Sequence, residues 1–143
     1  MVQRVTGIGG VFLRSRNPAA LAAWYAEHLG LDVEDWHGAV LRMSEGEMVW
    51  AAFPADTEYF GRLDQQAMVN YRVDDLDAML AQLGDAGVAV DGPQETENGR
   101  FGWGIDPEGN RFEVWQRPPA TRRGPLRTAA SRLRPEPRSD SRR

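Results

Sequence analysis

Residues 99–116 read GRFGWGIDPEGNRFEVWQ, and this stretch decides the fold of the chain. Apolar side chains alternate with small ones through 101–105, a DPEGN segment interrupts them, and apolar residues resume at 112–115. Period-two alternation on both sides of a turn that contains proline and glycine predicts a strand, a tight turn and a strand. Glu113 is a lone carboxylate in the apolar returning strand, where a charge must be paired, ligated or facing a cavity.

The same succession of elements is predicted twice along the chain. A strand at 6–14 and another at 66–73 are each followed by a capped amphipathic helix, which ends at Gly30 in the first half and at Gly87 in the second. Further strands follow each helix, so each half has the order βαβββ. In the first half these further strands are predicted at 31–36, 39–43 and 48–53, and in the second half at 88–90 and in the opening stretch.

The predicted fold class is α+β, with two βαβββ half-repeats that form curved mixed sheets around a concave pocket and helices on the outer face. The domain is expected to span residues 5–117, with halves at about 5–54 and 66–117. Residues 118–143 are rich in Arg, Pro and Ser and poor in large apolar residues, so they are predicted to be a disordered tail. A dispensable extension is the favoured interpretation of this tail, and a basic arm for nucleic acid or an acidic surface is the alternative.

Composition excludes several classes of protein. The chain has no cysteine, which excludes disulfides, zinc–cysteine sites and a thiol nucleophile. No apolar run approaches the ~20 residues of a membrane span, and the N-terminal residues have no signal-peptide core, so we expect a cytoplasmic protein without a membrane partner. Residues 1–116 hold eight Arg against nineteen Asp and Glu, so the folded domain is not expected to bind nucleic acid.

The repeat order and three sequence segments resemble the vicinal oxygen chelate (VOC) superfamily. The segments are NPAALAAWYAEHLGL, VDDLDAMLAQLGDAGV and DPEGNRFEVWQ. That superfamily contains glyoxalase I, extradiol dioxygenases, fosfomycin-resistance enzymes and bleomycin-binding proteins, and the resemblance covers about residues 5–117. It implies a small-molecule ligand and a homodimer, but the fold hosts several chemistries and does not select one of them.

The resemblance also implies four positions for metal ligands, because the superfamily's enzymes usually hold a divalent ion with His, Glu or Gln from four strands. The corresponding residues here are Gly10, about Ala51, Met68 and Glu113. A divalent ion needs several oxygen or nitrogen donors, so no cofactor is expected, and a divalent metal is possible but disfavoured. The two histidines, His28 on the first helix and His37 in a turn, are expected to lie away from the concave face.

Strand alternation predicts which side chains line the pocket if Glu113 faces it. The predicted ligand-binding residues are Phe12, Trp50, Phe53, Met68, Asn70, Arg72, Trp103, Glu113 and Trp115. For Trp50 and Trp103, a position in the core and a position in the pocket are equally compatible with the sequence. Tyr59 and Phe60, in the linker 55–64, form either a lid or a tether with one anchoring aromatic residue, and the tether is preferred.

Three interpretations of Glu113 stay open at this point. The carboxylate is a structural partner of Arg72 or Arg111, a group that orients a ligand, or a catalytic general base whose pKa is raised by apolar walls. The favoured function is metal-independent binding or sequestration of a small organic molecule in an aromatic cavity, as in bleomycin-resistance proteins. The alternative is a lyase or dioxygenase of the glyoxalase type that uses a non-standard metal site or Glu113 as general base, so enzymatic activity stays open.

Overall fold

A computed structural model describes residues 2–44 and 46–119, and it has the α+β fold predicted from the sequence. Seven strands form one mixed sheet and two helices pack on it, in βαβββ-type repeats. In chain order the elements are β1 (Val5–Ser15), α1 (Pro18–Leu29), β2 (Gly38–Met43), β3 (Gly46–Pro54), β4 (Ala67–Val73), α2 (Leu76–Asp85), β5 (Val90–Thr96), β6 (Gly99–Ile105) and β7 (Arg111–Gln116). Apart from its first two residues, the predicted disordered tail lies outside the described residues.

The sheet joins the two halves through their first strands. The strand order is β2-β3-β1-β4-β7-β6-β5, with β1 and β4 antiparallel at the centre. Each of these central strands pairs in parallel with the last strand of its own half, β1 with β3 and β4 with β7. The last strand of each half therefore lies close to the middle of the sheet, and Glu113 on β7 is one of its central residues.

The predicted strand at 31–36 is wrong. This segment has no regular structure in the described chain, and its turn is closed by hydrogen bonds from Glu34 N to Gly38 O at 2.8 Å and from His37 N to Glu34 O at 3.1 Å. Trp36 turns into the core at 3% exposure. Its indole occupies the space beside Gly38, where a Cβ would lie 2.0 Å from the ring, so the chain bends here instead of pairing.

The counterpart in the second half is a real strand, but it lies later than predicted. The short strand expected at 88–90 is β5, which starts at Val90 and pairs with β6. Its polar sequence and Pro93 make this strand hard to predict from the sequence. Proline is tolerated here because β5 is an edge strand, and the pairing register shifts between Asp91 and Gln94. The second half therefore has four strands where the described first half has three.

Both helices begin at the predicted caps and cover the outer face of the sheet. Asn17 Oδ1 accepts from Ala20 N at 3.0 Å at the start of α1, and Asp75 Oδ1 accepts from Ala78 N at 3.0 Å at the start of α2. α1 packs on an apolar cluster around Trp50 and Ala52, and α2 contributes to a second cluster around Val114. No helix in the described part of the chain is long and apolar enough to cross a membrane.

The largest apolar cluster fills the concave face, which is the side of the sheet away from the helices. It draws residues from five strands, from the turn before β2 and from the linker between β3 and β4. Its buried members are Phe12, Trp36, Val49, Ala51, Phe53, Phe60, Met68, Phe101, Trp103 and Trp115. We call this set the concave-face cluster, and the candidate site lies within it.

Candidate functional site

Glu113 is the charged residue at the centre of the candidate site, and its side chain is fully buried at 0% exposure. The sheet register places it between two polar neighbours. Asn70 on β4 is its parallel partner, and Trp103 on β6 is its antiparallel partner. The side chains of directly opposed residues lie on the same face of a sheet, so all three point towards the concave-face cluster.

Three described side chains donate hydrogen bonds to the carboxylate of Glu113, and all three are neutral. Asn70 Nδ2 donates to Oε1 at 2.6 Å, and Trp103 Nε1 donates to Oε2 at 2.9 Å. The Tyr59 hydroxyl also donates to Oε2. Both carboxylate oxygens therefore accept hydrogen bonds. These bonds offset part of the free-energy cost of burying the carboxylate.

The interpretation of Glu113 as a structural partner of an arginine is wrong for the described structure. Arg111 pairs with Asp91 at 3.2 Å, and its guanidinium lies 5.3 Å from the centre of the Trp103 ring. Arg72 lies further along β4, beside Gly7. Arg111 acts on the carboxylate only through its charge, which is the weakest of the influences on the pKa of Glu113.

Burial dominates the electrostatics of the site. It raises the pKa of Glu113 above its ordinary value, against the opposing effect of the three hydrogen bonds. Burial also raises the pKa of Tyr59 well above its ordinary value, and the negative charge of Glu113 raises it further. Tyr59 therefore remains a proton donor to the hydrogen bond, and Glu113 changes charge at a higher pH than an exposed glutamate.

The linker between β3 and β4 covers the site from the solvent side. Both of its aromatic residues are inserted into the concave-face cluster, where Phe60 is fully buried and Tyr59 reaches Glu113. The preferred interpretation, a tether with one anchoring aromatic residue, therefore understated the contribution of the linker. The Phe60 ring also lies under the Arg14 guanidinium, 5.1 Å from its Cζ to the ring centre.

Arg14 fixes the backbone of this linker. Its Nε donates to Gln65 O at 2.9 Å, and its Nη2 donates to Arg62 O at 2.9 Å. Its Nη1 donates to Ala55 O at 2.6 Å and to Thr57 O at 2.9 Å. One buried side chain on β1 thus satisfies four carbonyl groups of an irregular segment, which explains how the linker keeps a defined shape without strand pairing.

Most of the predicted ligand-binding residues come together on the concave face. Asn70 and Glu113 supply its polar groups, and the others belong to the apolar cluster. These apolar residues are Phe12, Phe53, Met68, Trp103 and Trp115.

Trp50 is misplaced in the prediction. Its ring packs against Tyr25 of α1, with centres 4.7 Å apart, in the cluster under that helix. Trp50 lies between Ala51 and Val49 on β3, and the neighbours of an inward residue on a strand point outward. It therefore lies on the outer face, opposite to the candidate site.

Arg72 lies at the end of the concave face remote from the linker. Its guanidinium lies so close to Gly7 that a Cβ there would be 2.4 Å from Nη2. It borders an open polar cleft of about 390 Å³. The cleft is lined by Thr6, Arg72, Val73, Asp74, Gln116, Arg117, Pro118 and Pro119. Arg72 is therefore not a contact of the aromatic part of the site.

The predicted ligand-binding set omits five contributors to the site, Arg14, Trp36, Tyr59, Phe60 and Phe101. Phe101 and Arg14 carried a usable signal, because strand parity places Arg14 on the same face as Phe12 and Phe101 on the same face as Trp103. Trp36 and Phe60 lie in irregular segments, where side-chain direction has no period.

A family model described as a glyoxalase-like domain matches residues 10–115, which is most of the chain. The chain belongs to the glyoxalase-like domain family. The resemblance to the VOC superfamily, to which such domains belong, is confirmed. No curated protein sequence matches the chain.

Solved structures share the fold of this glyoxalase-like domain at low sequence identity. Methylmalonyl-CoA epimerase from Mycobacterium tuberculosis is 23% identical, with 85% of this chain and 94% of that one covered and a TM-score of 0.58. A variant of the Streptomyces coelicolor methylmalonyl-CoA epimerase with bound 2-nitronate-propionyl-CoA is 18% identical, with coverages of 81% and 97% and a TM-score of 0.61. An NAD-dependent benzaldehyde dehydrogenase from Legionella pneumophila is 18% identical, with coverages of 76% and 98% and a TM-score of 0.55.

The residues of this glyoxalase-like domain do not fit the four-ligand metal site that the superfamily implies. Three of the corresponding positions are Gly10, Ala51 and Met68, which supply no oxygen or nitrogen donor from a side chain. Both oxygens of Glu113 already accept hydrogen bonds. Residues 2–44 and 46–119 contain no group of three or more His, Asp or Glu side chains that could hold an ion.

Neither histidine comes to the site. His28 stacks on Trp24 at the exposed surface of α1, with ring centres 4.6 Å apart. His37 lies in the turn before β2 with a φ of 64°.

Proposed function

We propose that this glyoxalase-like domain binds a small organic molecule on its aromatic concave face without a metal ion. The observation that carries the proposal is a buried carboxylate held by three neutral donors inside a cluster of aromatic rings. A ligand that enters this cluster by displacing one of its side chains would meet aromatic rings for its body and one strong hydrogen-bond acceptor for its polar group. Binding or sequestration requires nothing more than this. The homodimer implied by the family resemblance and the cytoplasmic location expected from the sequence belong to the same proposal.

A metal-independent site makes a direct prediction about the purified protein. Protein prepared without a metal-affinity tag is expected to contain far less than one equivalent of bound transition metal, because one carboxylate cannot hold such an ion. Elemental analysis of the full chain after dialysis measures this content. Stoichiometric zinc, nickel, iron or manganese that survives dialysis would contradict the proposal.

Glu113 is expected to determine the affinity for the ligand. A thermal-shift screen against aromatic metabolites, thiol adducts and antibiotics identifies compounds that stabilise the wild-type protein. For any such compound, Glu113→Gln is expected to weaken binding by about tenfold, since a hydrogen bond to a charged group contributes roughly 1.5–3 kcal/mol.

The matched control for this substitution is Glu27→Gln, which makes the same change at an exposed position of α1. It is expected to leave the affinity unchanged. Glu113→Gln should also leave the protein folded, and a collapse of its melting temperature would instead assign Glu113 a structural role.

An enzymatic reaction is the second candidate, and the raised pKa of Glu113 favours it. A carboxylate whose pKa moves towards neutrality is a better general base, as a glyoxalase-type lyase or dioxygenase reaction would require. Three donors already bind the carboxylate, however, so a substrate would have to displace one of them or reach the remaining lone pair before Glu113 could act as a base. Recovery of the bound compound unchanged after incubation separates binding from turnover.

A further inference from the structure

The phenol ring of Tyr59 occupies the position in which a ligand of Glu113 would lie. Its hydroxyl donates to Glu113 Oε2. Its ring stacks on Phe53, with centres 5.5 Å apart and planes 17° apart, and meets Trp103 edge-on at 6.1 Å. Stacking, an edge contact and one hydrogen bond are the contacts that a small aromatic ligand makes in an aromatic pocket with one acceptor.

Tyr59 is held less firmly than the residues it touches. Phe53 and Glu113 are completely buried, whereas Tyr59 is largely but not completely buried and comes from the linker instead of the sheet. Arg14 holds the backbone on both sides of it, at Thr57 O and Arg62 O. Because the backbone is held on both sides, a movement that uncovers Glu113 would involve the side-chain bonds of Tyr59 and not the linker backbone.

We infer that Tyr59 is a built-in occupant of the ligand site, and that the ligand is an uncharged aromatic compound carrying a hydroxyl or amino donor. The ligand displaces the Tyr59 ring, stacks on Phe53 and donates its own hydrogen bond to Glu113. This inference rests on the proposed function and adds the chemical class of the ligand. Aromatic carboxylates are the wrong class, because they bring a second negative charge to a buried carboxylate.

The probes that test the inference are phenol, toluene and benzoate, which share one ring and differ in the polar group. Phenol is expected to bind the full-length wild-type protein and to shift the indole N–H signal of Trp103 and the ring signals of Tyr59 in NMR spectra. Toluene is expected to bind at least about tenfold more weakly than phenol. It would displace the Tyr59 hydroxyl without donating a hydrogen bond to Glu113 in its place. Benzoate should bind more weakly still at neutral pH.

Substitutions at Tyr59 separate an occupant from a structural residue. Tyr59→Ala is expected to bind phenol about tenfold more tightly than the wild type, because no internal ring has to be displaced. Tyr59→Phe keeps the stacking and loses the hydrogen bond. Its affinity for phenol should therefore fall between those of the wild type and Tyr59→Ala. Tyr25→Phe, a control on α1 at the outer face, should leave the affinity unchanged.

The outcomes distinguish this inference from the proposed function on which it rests. Equal affinities of Tyr59→Ala for phenol and toluene would overturn the inference, since the variant would then offer only an apolar cavity. Binding of other compounds to the wild type with the Tyr59 signals unmoved, or without any affinity for phenol, would also overturn it and leave the proposed function standing. Failure of every compound in the screen to bind would remove the proposed function itself.

Discussion

Replacement of Arg14 with methionine is expected to lower the free energy of unfolding by about 3 kcal/mol or more. The guanidinium donates to four carbonyl groups, and hydrogen bonds to a charged group contribute roughly 1.5–3 kcal/mol each, though not additively. Methionine fills much of the same volume, so the loss reports the hydrogen bonds more than a cavity. Urea unfolding followed by tryptophan fluorescence measures the change.

The matched control is Arg42→Met, which makes the same substitution in an exposed arginine paired with Glu47 at the surface. Such pairs contribute about 0–1 kcal/mol, so the control should be close to the wild type. Arg14→Lys keeps the charge but cannot supply the fork of donors, and it should recover only a small part of the loss. A loss below about 1 kcal/mol in Arg14→Met would show that the linker keeps its shape without these bonds.

The strands of the sheet were predictable where the sequence has a strict period. Alternation along β4, β6 and β7 places Met68, Asn70, Trp103 and Glu113 on one face, and the structure brings them together there. The period determines the face because successive side chains on a strand point to opposite sides. The same rule excludes Trp50, because Phe53 lies three residues further along β3, and two strand residues three apart point to opposite faces.

The irregular parts of the site were beyond sequence reasoning. Trp36 and Phe60 have no neighbours at a fixed spacing that would indicate their direction, so only the folded chain shows that they enter the concave-face cluster. The linker gains its shape from Arg14, a residue far away in sequence on β1. The segment 31–36 was predicted to be a strand, but the side chain of Trp36 is buried through a bend of the chain beside Gly38.

Glu113→Leu is expected to destabilise the protein by about 3 kcal/mol, and much more than Glu113→Gln at neutral pH. Leucine leaves Trp103 Nε1 and Asn70 Nδ2 as buried donors without an acceptor, and each such group costs roughly 1–3 kcal/mol. The cost is counted for these two donors alone, because the Tyr59 side chain is partly exposed.

Glutamine avoids this cost through a rearrangement of Asn70. The Oδ1 of Asn70 has no hydrogen-bond partner among the described residues. If the side-chain amide of Asn70 flips by about 180°, its Oδ1 accepts a hydrogen bond from the NH2 group of the glutamine at position 113. The amide oxygen of that glutamine still accepts from Trp103 and Tyr59. The expected loss for Glu113→Gln is below about 1 kcal/mol, and an equal loss in both variants would contradict this account of the network.

The difference between the wild type and Glu113→Gln is expected to depend on pH in a defined direction. Burial raises the pKa of Glu113, so in the folded state the carboxyl keeps its proton to a higher pH than in the unfolded chain. Its contribution to stability is fully present below the unfolded pKa of about 4.3 and is lost as the pH rises through the folded pKa. The wild type should therefore lose stability relative to Glu113→Gln with rising pH. Urea unfolding of both proteins between acid and neutral pH measures this slope, and a wild type that becomes more stable relative to Glu113→Gln as the pH rises would mean that the three donors outweigh burial.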